Sequence, residues 1–222
     1  MHRNSAAAIT IGLVGFGIVS LGGLGGCASA SMAIKEKFGY AKREQLVDGV
    51  QKARDAQEKA KEQFASALDE FIAVTQVDGG ELEATYKRLQ RELDRSEDRA
   101  DSVRGRITSV ERVGSALFRE WEQELNEYSS ESLRTSSREQ LLSTQRRYDE
   151  LLAAMNKAER KMEPVLSAFR DQVLFLKHNL NARAIASLEG TVGELEQEIG
   201  ALIRDMEASI AEANAFIDSM GT

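Results

Sequence analysis

Apolar positions between residues 82 and 121 alternate in steps of four and three without a slip. This period of 3.5 residues is that of a heptad seam, which requires a partner helix along its length. The positions beside the seam carry charges of both signs, as on a solvated outer face. The seam consists of Leu82, Tyr86, Leu89, Leu93, Ser96, Ala100, Val103, Ile107, Val110, Gly114, Leu117 and Trp121.

Three further stretches repeat this spacing, and none alternates with period two over the length of a strand. With the stretch over residues 82–121 counted as the second predicted helix, the first helix contains Leu46, Val50, Ala53, Ala60, Phe64, Ala67, Phe71 and Val74. The third contains Tyr148, Leu152, Met155, Met162, Leu166, Phe169, Val173, Leu176 and Leu180. The fourth contains Ile185, Leu188, Val192, Leu195, Ile199, Leu202, Met206, Ala213 and Ile217. Residues 41–222 are therefore predicted to be all-α, an elongated antiparallel bundle of three to four long coiled-coil-like helices.

The breaks between these helices are visible in the sequence. The Asp78-Gly79-Gly80 turn ends the first helix, and a serine-rich stretch over residues 128–137 separates the second from the third. The capping box of Ser136 and Glu139 predicts a start of the third helix there, while Glu131 is an equal alternative start.

The boundary between the third and fourth helices is less distinct. Asn179 and Asn181 mark either a break or only a kink. Pro164 lies within the third pattern, where it should bend the helix or occupy a place whose hydrogen bond is already lost.

The N-terminus has the pattern of a lipoprotein signal. A charged start is followed by an apolar stretch from Ala6 and by the lipobox Leu24-Gly25-Gly26-Cys27. We expect cleavage of residues 1–26, a diacylglyceryl group on the sulfur of Cys27, and a lipidated tether over residues 27–40. The alternative is an uncleaved membrane anchor over residues 6–26. Ala28 follows the cysteine, which by resemblance to known sorting rules favours the outer membrane, facing the periplasm.

The composition of the chain argues against several classes of function. The chain has 222 residues, one cysteine, one proline and a net charge of −7. Lipidation of Cys27 would leave no thiol for disulfides, thiolate catalysis or metal binding. The acidic balance argues against nucleic-acid binding, which needs basic surface. We therefore expect no nucleic-acid partner, no metal and no cofactor.

The sequence contains no motif for an enzyme. His178 is the only histidine after cleavage, and the chain has no HExxH motif to accompany it. A structural or solvated histidine is the expected role, although Asp171, one heptad earlier, could contact it. Trp121 lies on the seam and is expected in the core, with a ligand pocket beside Gly114 as the alternative. Gly193 and Gly200 share a helix face, where close helix packing is expected, with a flexible partner-docking site as the alternative.

Polar residues concentrate around the end of the third helix, on and beside the apolar seam. Polar groups in a coiled coil fix register and partner choice, so this region is the candidate partner-binding site. Its residues are Arg170, Asp171, Lys177, His178, Asn179, Asn181 and Arg183.

Residues 50–64, 168–188 and 205–213 resemble an uncharacterised family of Gram-negative lipoproteins built around a domain of unknown function. The resemblance covers nearly all of the mature chain and implies an envelope location and coiled-coil structure. It implies no activity, substrate or catalytic residue. Some relatives carry a label as DNA-repair ATPases, but this sequence has no G-x-x-x-x-G-K-[ST] phosphate loop.

The expected function is that of a lipid-anchored structural or adaptor lipoprotein that contacts unknown envelope proteins, and it is not an enzyme. One alternative is a bundle that opens to bind lipid or another amphiphile through Phe64, Phe71, Phe169 or Trp121. Another is an enzyme whose carboxylate pair is assembled by folding. Leftover seam surface would also allow homo-oligomers.

Overall fold

The described part of the chain is helical throughout. The structure is a computed structural model that describes residues 26–76, 82–179 and 182–221; for residues 26–40, 182–184 and 186 it describes the backbone and not the side chains. Within these ranges lie four α-helices and no strand: α1 (Gly26–Thr75), α2 (Leu82–Glu124), α3 (Glu131–His178) and α4 (Ala182–Met220). A short 3₁₀ turn, Leu125–Glu127, follows α2. The all-α prediction is confirmed, and the third and fourth helices are separate.

The heptad seam of α2 faces the core along its whole length. Nine of its twelve positions are buried, and the other three, Leu82, Tyr86 and Trp121, are partly buried against the core. Corresponding positions from α1, α3 and α4 join the same hydrophobic cluster. Burial of these apolar faces, rather than local helix propensity, stabilises helices of this length.

Each helix runs antiparallel to its neighbours, and α1 and α4 close the ring. We call the end of the bundle that holds the α2–α3 connection the hairpin end, and the other the far end. Side-chain contacts between the helices establish this arrangement. They are Lys42–Glu120 and Glu70–Arg88 between α1 and α2, and Trp121–Ser137 and Glu97–Arg170 between α2 and α3. Lys157–Asp205 joins α3 to α4, and Arg54–Asn214 and Gln57–Ser209 join α1 to α4.

The boundaries of α3 follow from its caps. Ser130 is the N-cap, and its hydroxyl accepts a hydrogen bond from the backbone N–H of Leu133 at 3.5 Å. The start at Ser136 is therefore wrong and the alternative at Glu131 is confirmed. The helix continues through Pro164 and ends at His178, where the Asn179 N–H donates to the carbonyl oxygens of Phe175 and Leu176.

The N-terminal predictions fall mostly outside the described side chains. Leu24 and Gly25 lie outside the described residues, whereas Gly26 and Cys27 form the first two residues of α1. The backbone is helical across residues 27–40, the segment expected to be a tether. Within the described ranges, no helix has the continuous apolar length that crossing a bilayer demands.

Candidate functional site

The predicted partner-binding region lies at the far end of the bundle, in the last two turns of α3. Asp171, Lys177 and His178 are exposed there. Val173 and Leu176, between them, are buried in the core. The region is therefore an outward-facing polar surface on a firmly packed helix. Lys177 also lies in the last turn, where a cation interacts favourably with the helix dipole.

Two residues of the predicted set have structural roles. Arg170 Nη2 lies 2.6 Å from Glu97 Oε1 and its Nη1 lies 3.8 Å from Glu163 Oε1. The hydrogen bond to Glu97 is the main reason that the pKa of Arg170 is raised. The Asn179 side chain donates to the carbonyl oxygen of Phe175 at 3.0 Å and caps the helix. The side chains of Asn181 and Arg183 lie outside those described.

An exposed apolar pair stands within the same region. Leu174 is 51% exposed and Phe175 is 41% exposed, although both lie on a helix whose seam residues are buried. Sequence reasoning missed this pair because it sorted apolar residues by their fit to the seam. The signal was available, since neither residue falls on the four-three spacing.

A second candidate site is a groove of about 530 Å³ between α3 and α4. Three carboxylates, from Glu150, Glu212 and Asp218, line it together with Arg147. The sequence could not indicate this grouping because the residues come from two helices. The groove provides the surface carboxylates that the enzyme alternative requires, and it carries no catalytic assignment. Among the described residues, no group of three or more His, Cys, Asp or Glu side chains is arranged to hold a metal ion.

The alternative of a ligand pocket beside Gly114 is wrong. The ring of Tyr148 fills the space, and a Cβ at residue 114 would lie 2.4 Å from its Cζ and hydroxyl oxygen. The Tyr148 hydroxyl donates to the carbonyl oxygen of Val110 at 3.2 Å. Burial, followed by the charges of Glu111 and Asp149, raises the pKa of Tyr148 to about 12. Gly114 is therefore a packing site for an aromatic ring.

Trp121 is partly buried against the core, as its seam position predicts. Its Nε1–H donates to Ser137 Oγ at 2.9 Å, and the guanidinium of Arg43 lies 5.2 Å from the ring centroid. These contacts join α1, α2 and α3 near the hairpin end. Their geometry is that of a structural junction.

The expected close packing at Gly193 and Gly200 is wrong within the described part of the chain. An added Cβ at Gly193 would meet nothing within 4 Å, and one at Gly200 would meet only the Arg204 side chain at 3.5 Å. Gly193 is exposed and Gly200 is half-buried, and no other helix approaches either residue closely enough to require a glycine.

Three of the four aromatic side chains that an amphiphile-binding bundle would expose are enclosed, and the fourth, Trp121, is partly buried. Phe64, Phe71 and Phe169 are each at most 1% exposed. The rings of Phe71 and Phe169 meet edge to face across the core, with centroids 5.9 Å apart. Opening along this seam would break apolar contacts that stabilise the bundle.

Comparison with known proteins shows the family to which the chain is similar. A family model described as a protein of unknown function, DUF2959, matches residues 32–220. No curated protein matches the chain, and no solved structure matches it.

Proposed function

The chain belongs to the DUF2959 family of proteins of unknown function, and we propose that it is a lipid-anchored adaptor of the Gram-negative envelope, held at the outer membrane and facing the periplasm. In this proposal, the lipid on Cys27 anchors the protein to the membrane and the helical bundle binds other proteins. The lipobox pattern at residues 24–27 supports the anchor. Diacylglyceryl and N-acyl chains, at about 0.8 kcal/mol per buried methylene, would hold the protein essentially permanently.

The observation that carries the adaptor role is the exposed pair Leu174 and Phe175 at the far end of the bundle. Protein-binding surfaces commonly combine an apolar centre with a polar rim. Here Asp171, Lys177 and His178 supply that rim. The Arg170–Glu97 contact fixes α3 against α2, so the surface is preorganised and little ordering entropy is lost on binding.

The exposed pair lies at the end of the bundle opposite the start of its first helix, which also fits an adaptor. The described side chains of α1 begin at the hairpin end, where Lys42 pairs with Glu120. The apolar pair lies at the other end of α3, a helix of 48 residues. At 1.5 Å per residue that helix is about 72 Å long. A chain anchored near the hairpin end would present the pair well away from the membrane surface.

The anchor is tested by the Cys27→Ser variant. Intact-mass measurement of the wild-type protein should give residues 27–222 plus the mass of the acyl groups, with the protein in the outer-membrane fraction. Cys27→Ser should lose both the lipid mass and that fractionation. A wild-type protein with a free Cys27 thiol would contradict the anchor.

The partner surface is tested in living cells by placing a photo-crosslinking phenylalanine analogue at position 175. Leu142, 48% exposed on the same helix but near the hairpin end, is the matched control position. We expect a crosslinked envelope protein at position 175 that is absent at 142 and is lost with Leu174→Ser. Equal crosslinking at the two positions, or none at 175, would count against the adaptor role.

A further inference from the structure

The connection between α2 and α3 extends beyond the end of α4. The last residue of α4 is Met220, and its final turns line the groove together with Arg147 and Glu150 of α3. The first residue of α3 is Glu131, 16 positions before Arg147. At 1.5 Å per residue, these turns extend about 24 Å beyond Arg147, the groove residue nearest the start of α3.

This protruding segment is thinly packed. Between residues 131 and 147 of α3 only Ser137 and Leu141 are buried, whereas ten residues are buried from Tyr148 onward. Leu133 is 58% exposed, the most exposed large apolar side chain among the described residues. Tyr128, in the connection itself, is 37% exposed. We call residues 128–134 the hairpin tip.

The chain also leads from this end of the bundle to Cys27. Lys42 contacts Glu120 at the hairpin end, and it lies 15 positions after Cys27. A chain of that length can span at most about 50 Å, which exceeds the roughly 24 Å between Arg147 and the start of α3. An acyl chain on Cys27 can therefore reach the same membrane surface that the tip would touch.

We propose that the hairpin tip rests on the lipid surface beside the acyl anchor, as a second contact that sets the tilt of the bundle. This proposal rests on the lipid anchor proposed above. Leu133 would enter the interface between headgroups and acyl chains, and Tyr128 is of the type enriched there. Because the anchor already holds the protein at the bilayer, the tip contact is intramolecular and needs little affinity of its own.

Electrostatic attraction is not expected to hold the hairpin tip on the lipid surface. Arg134 Nη1 is paired with Glu131 Oε2 at 2.9 Å, and its Nη2 donates to the Tyr128 carbonyl oxygen at 2.7 Å. Arg138 is exposed beside the tip, but Glu127 and Glu139 carry opposite charge on the same hairpin. The apolar contact should therefore persist in vesicles that lack anionic lipid.

The test uses the acylated full protein in vesicles of phosphatidylethanolamine and phosphatidylglycerol, and in phosphatidylcholine vesicles. A fluorophore is attached at Ser129→Cys in the tip or at Ser167→Cys, an exposed serine toward the far end of α3. Lipids with a spin label at the headgroup act as quenchers. We expect quenching at position 129 in both vesicles and none at 167.

Adding Leu133→Ser should remove most of the quenching at position 129, whereas adding Leu174→Ser, a similar truncation at the far end, should leave it unchanged. Equal quenching at positions 129 and 167, or quenching at 129 that is unaffected by Leu133→Ser, would overturn the tip contact. Intact mass separates the two proposals, because failure of the anchor appears as missing acyl groups. Failure of the tip alone appears in protein that is fully acylated.

Discussion

At the heptad position of Gly114, the missing side chain leaves space for the ring of Tyr148 from the neighbouring helix. The seam at residue 114 is occupied by the ring of Tyr148, which also meets Phe118 edge to face with centroids 5.1 Å apart. A small residue on one helix thus accepts a large residue from the next. The spacing predicted that residue 114 faces inward. Which side chain of α3 packs against it depends on the register between α2 and α3, which the sequence does not show.

Gly114→Ala should destabilise the protein although it improves helix propensity. Alanine gains about 1 kcal/mol over glycine in a helix interior. The new Cβ would lie 2.4 Å from the Tyr148 ring, and such overpacking costs about 1–3 kcal/mol, with the Val110 hydrogen bond lost as well. We expect a net loss of roughly 1–2 kcal/mol in chemical denaturation.

Gly105→Ala is the matched control on the same helix. A Cβ at residue 105 meets nothing within 4 Å, so this variant should gain about 0.5–1 kcal/mol. A Gly114→Ala protein as stable as Gly105→Ala would contradict the packing of Tyr148 on Gly114.

The buried pair Gln57 and Ser209 joins α1 to α4 through one hydrogen bond. Ser209 Oγ donates to Gln57 Oε1 at 2.8 Å, and both residues are fully buried. Gln57 Nε2 is buried and has no hydrogen-bond partner. Ser209→Ala should cost about 1–3 kcal/mol because it leaves the buried amide without its remaining contact.

Gln57→Leu should be nearly neutral, because the Ser209 hydroxyl can turn to a carbonyl of its own helix. The double variant should be close to wild type in chemical denaturation, since replacing both members of a buried polar pair costs little. Equal losses for the two single variants would show that the amide is not the unsatisfied group.

Between elements, ion pairs on the bundle surface align α3 with α4. Asp205 lies between Lys157, at 2.9 Å, and Lys161, and only 12% of its side chain is exposed. The hydrogen bond from Lys161 is the largest cause that lowers the pKa of Asp205 below its ordinary value of 3.8, and Lys157 adds to it. This carboxylate therefore links two turns of α3 to α4.

A lowered carboxyl pKa in the folded state stabilises the protein above the pKa of the unfolded chain. That contribution is lost as the pH falls through the lower folded pKa. Asp205→Asn should therefore lower the Tm at about pH 7 and converge with wild type at about pH 2. Lys157→Gln with Lys161→Gln should give the same pH dependence, and a pH-independent difference would contradict the ion-pair origin.

At the level of the helices, most of the fold was predictable from sequence. The seam of α2 and the all-α class follow from the spacing of apolar residues, because a helix with one buried face has apolar residues at regular intervals in its sequence. The start of α3 did not follow, since both Ser130 and Ser136 can cap a helix and tertiary contacts decide between them. The groove of Glu150 and Glu212 could not be predicted, because it depends on the neighbour and register of α4.

At the scale of the whole molecule, the antiparallel order places different chemistry at the two ends. The hairpin end holds the junction of Arg43, Trp121 and Ser137. The far end holds the exposed pair Leu174 and Phe175. Whether the two ends unfold together depends on the core that lies between them.

The continuous core predicts such cooperativity. Buried residues form one hydrophobic cluster that includes Leu46 and Leu125 toward the hairpin end and Val74 and Leu176 toward the far end. The chain has one tryptophan, Trp121, so its fluorescence reports the hairpin end alone, whereas far-ultraviolet circular dichroism reports all helices. We expect the two urea transitions to coincide in midpoint and slope, as for a two-state domain. If the tryptophan transition came first, the hairpin end would unfold as a separate unit, which would contradict a single cooperative core. Arg43→Ala provides the internal check, because in a cooperative bundle it should lower both midpoints equally.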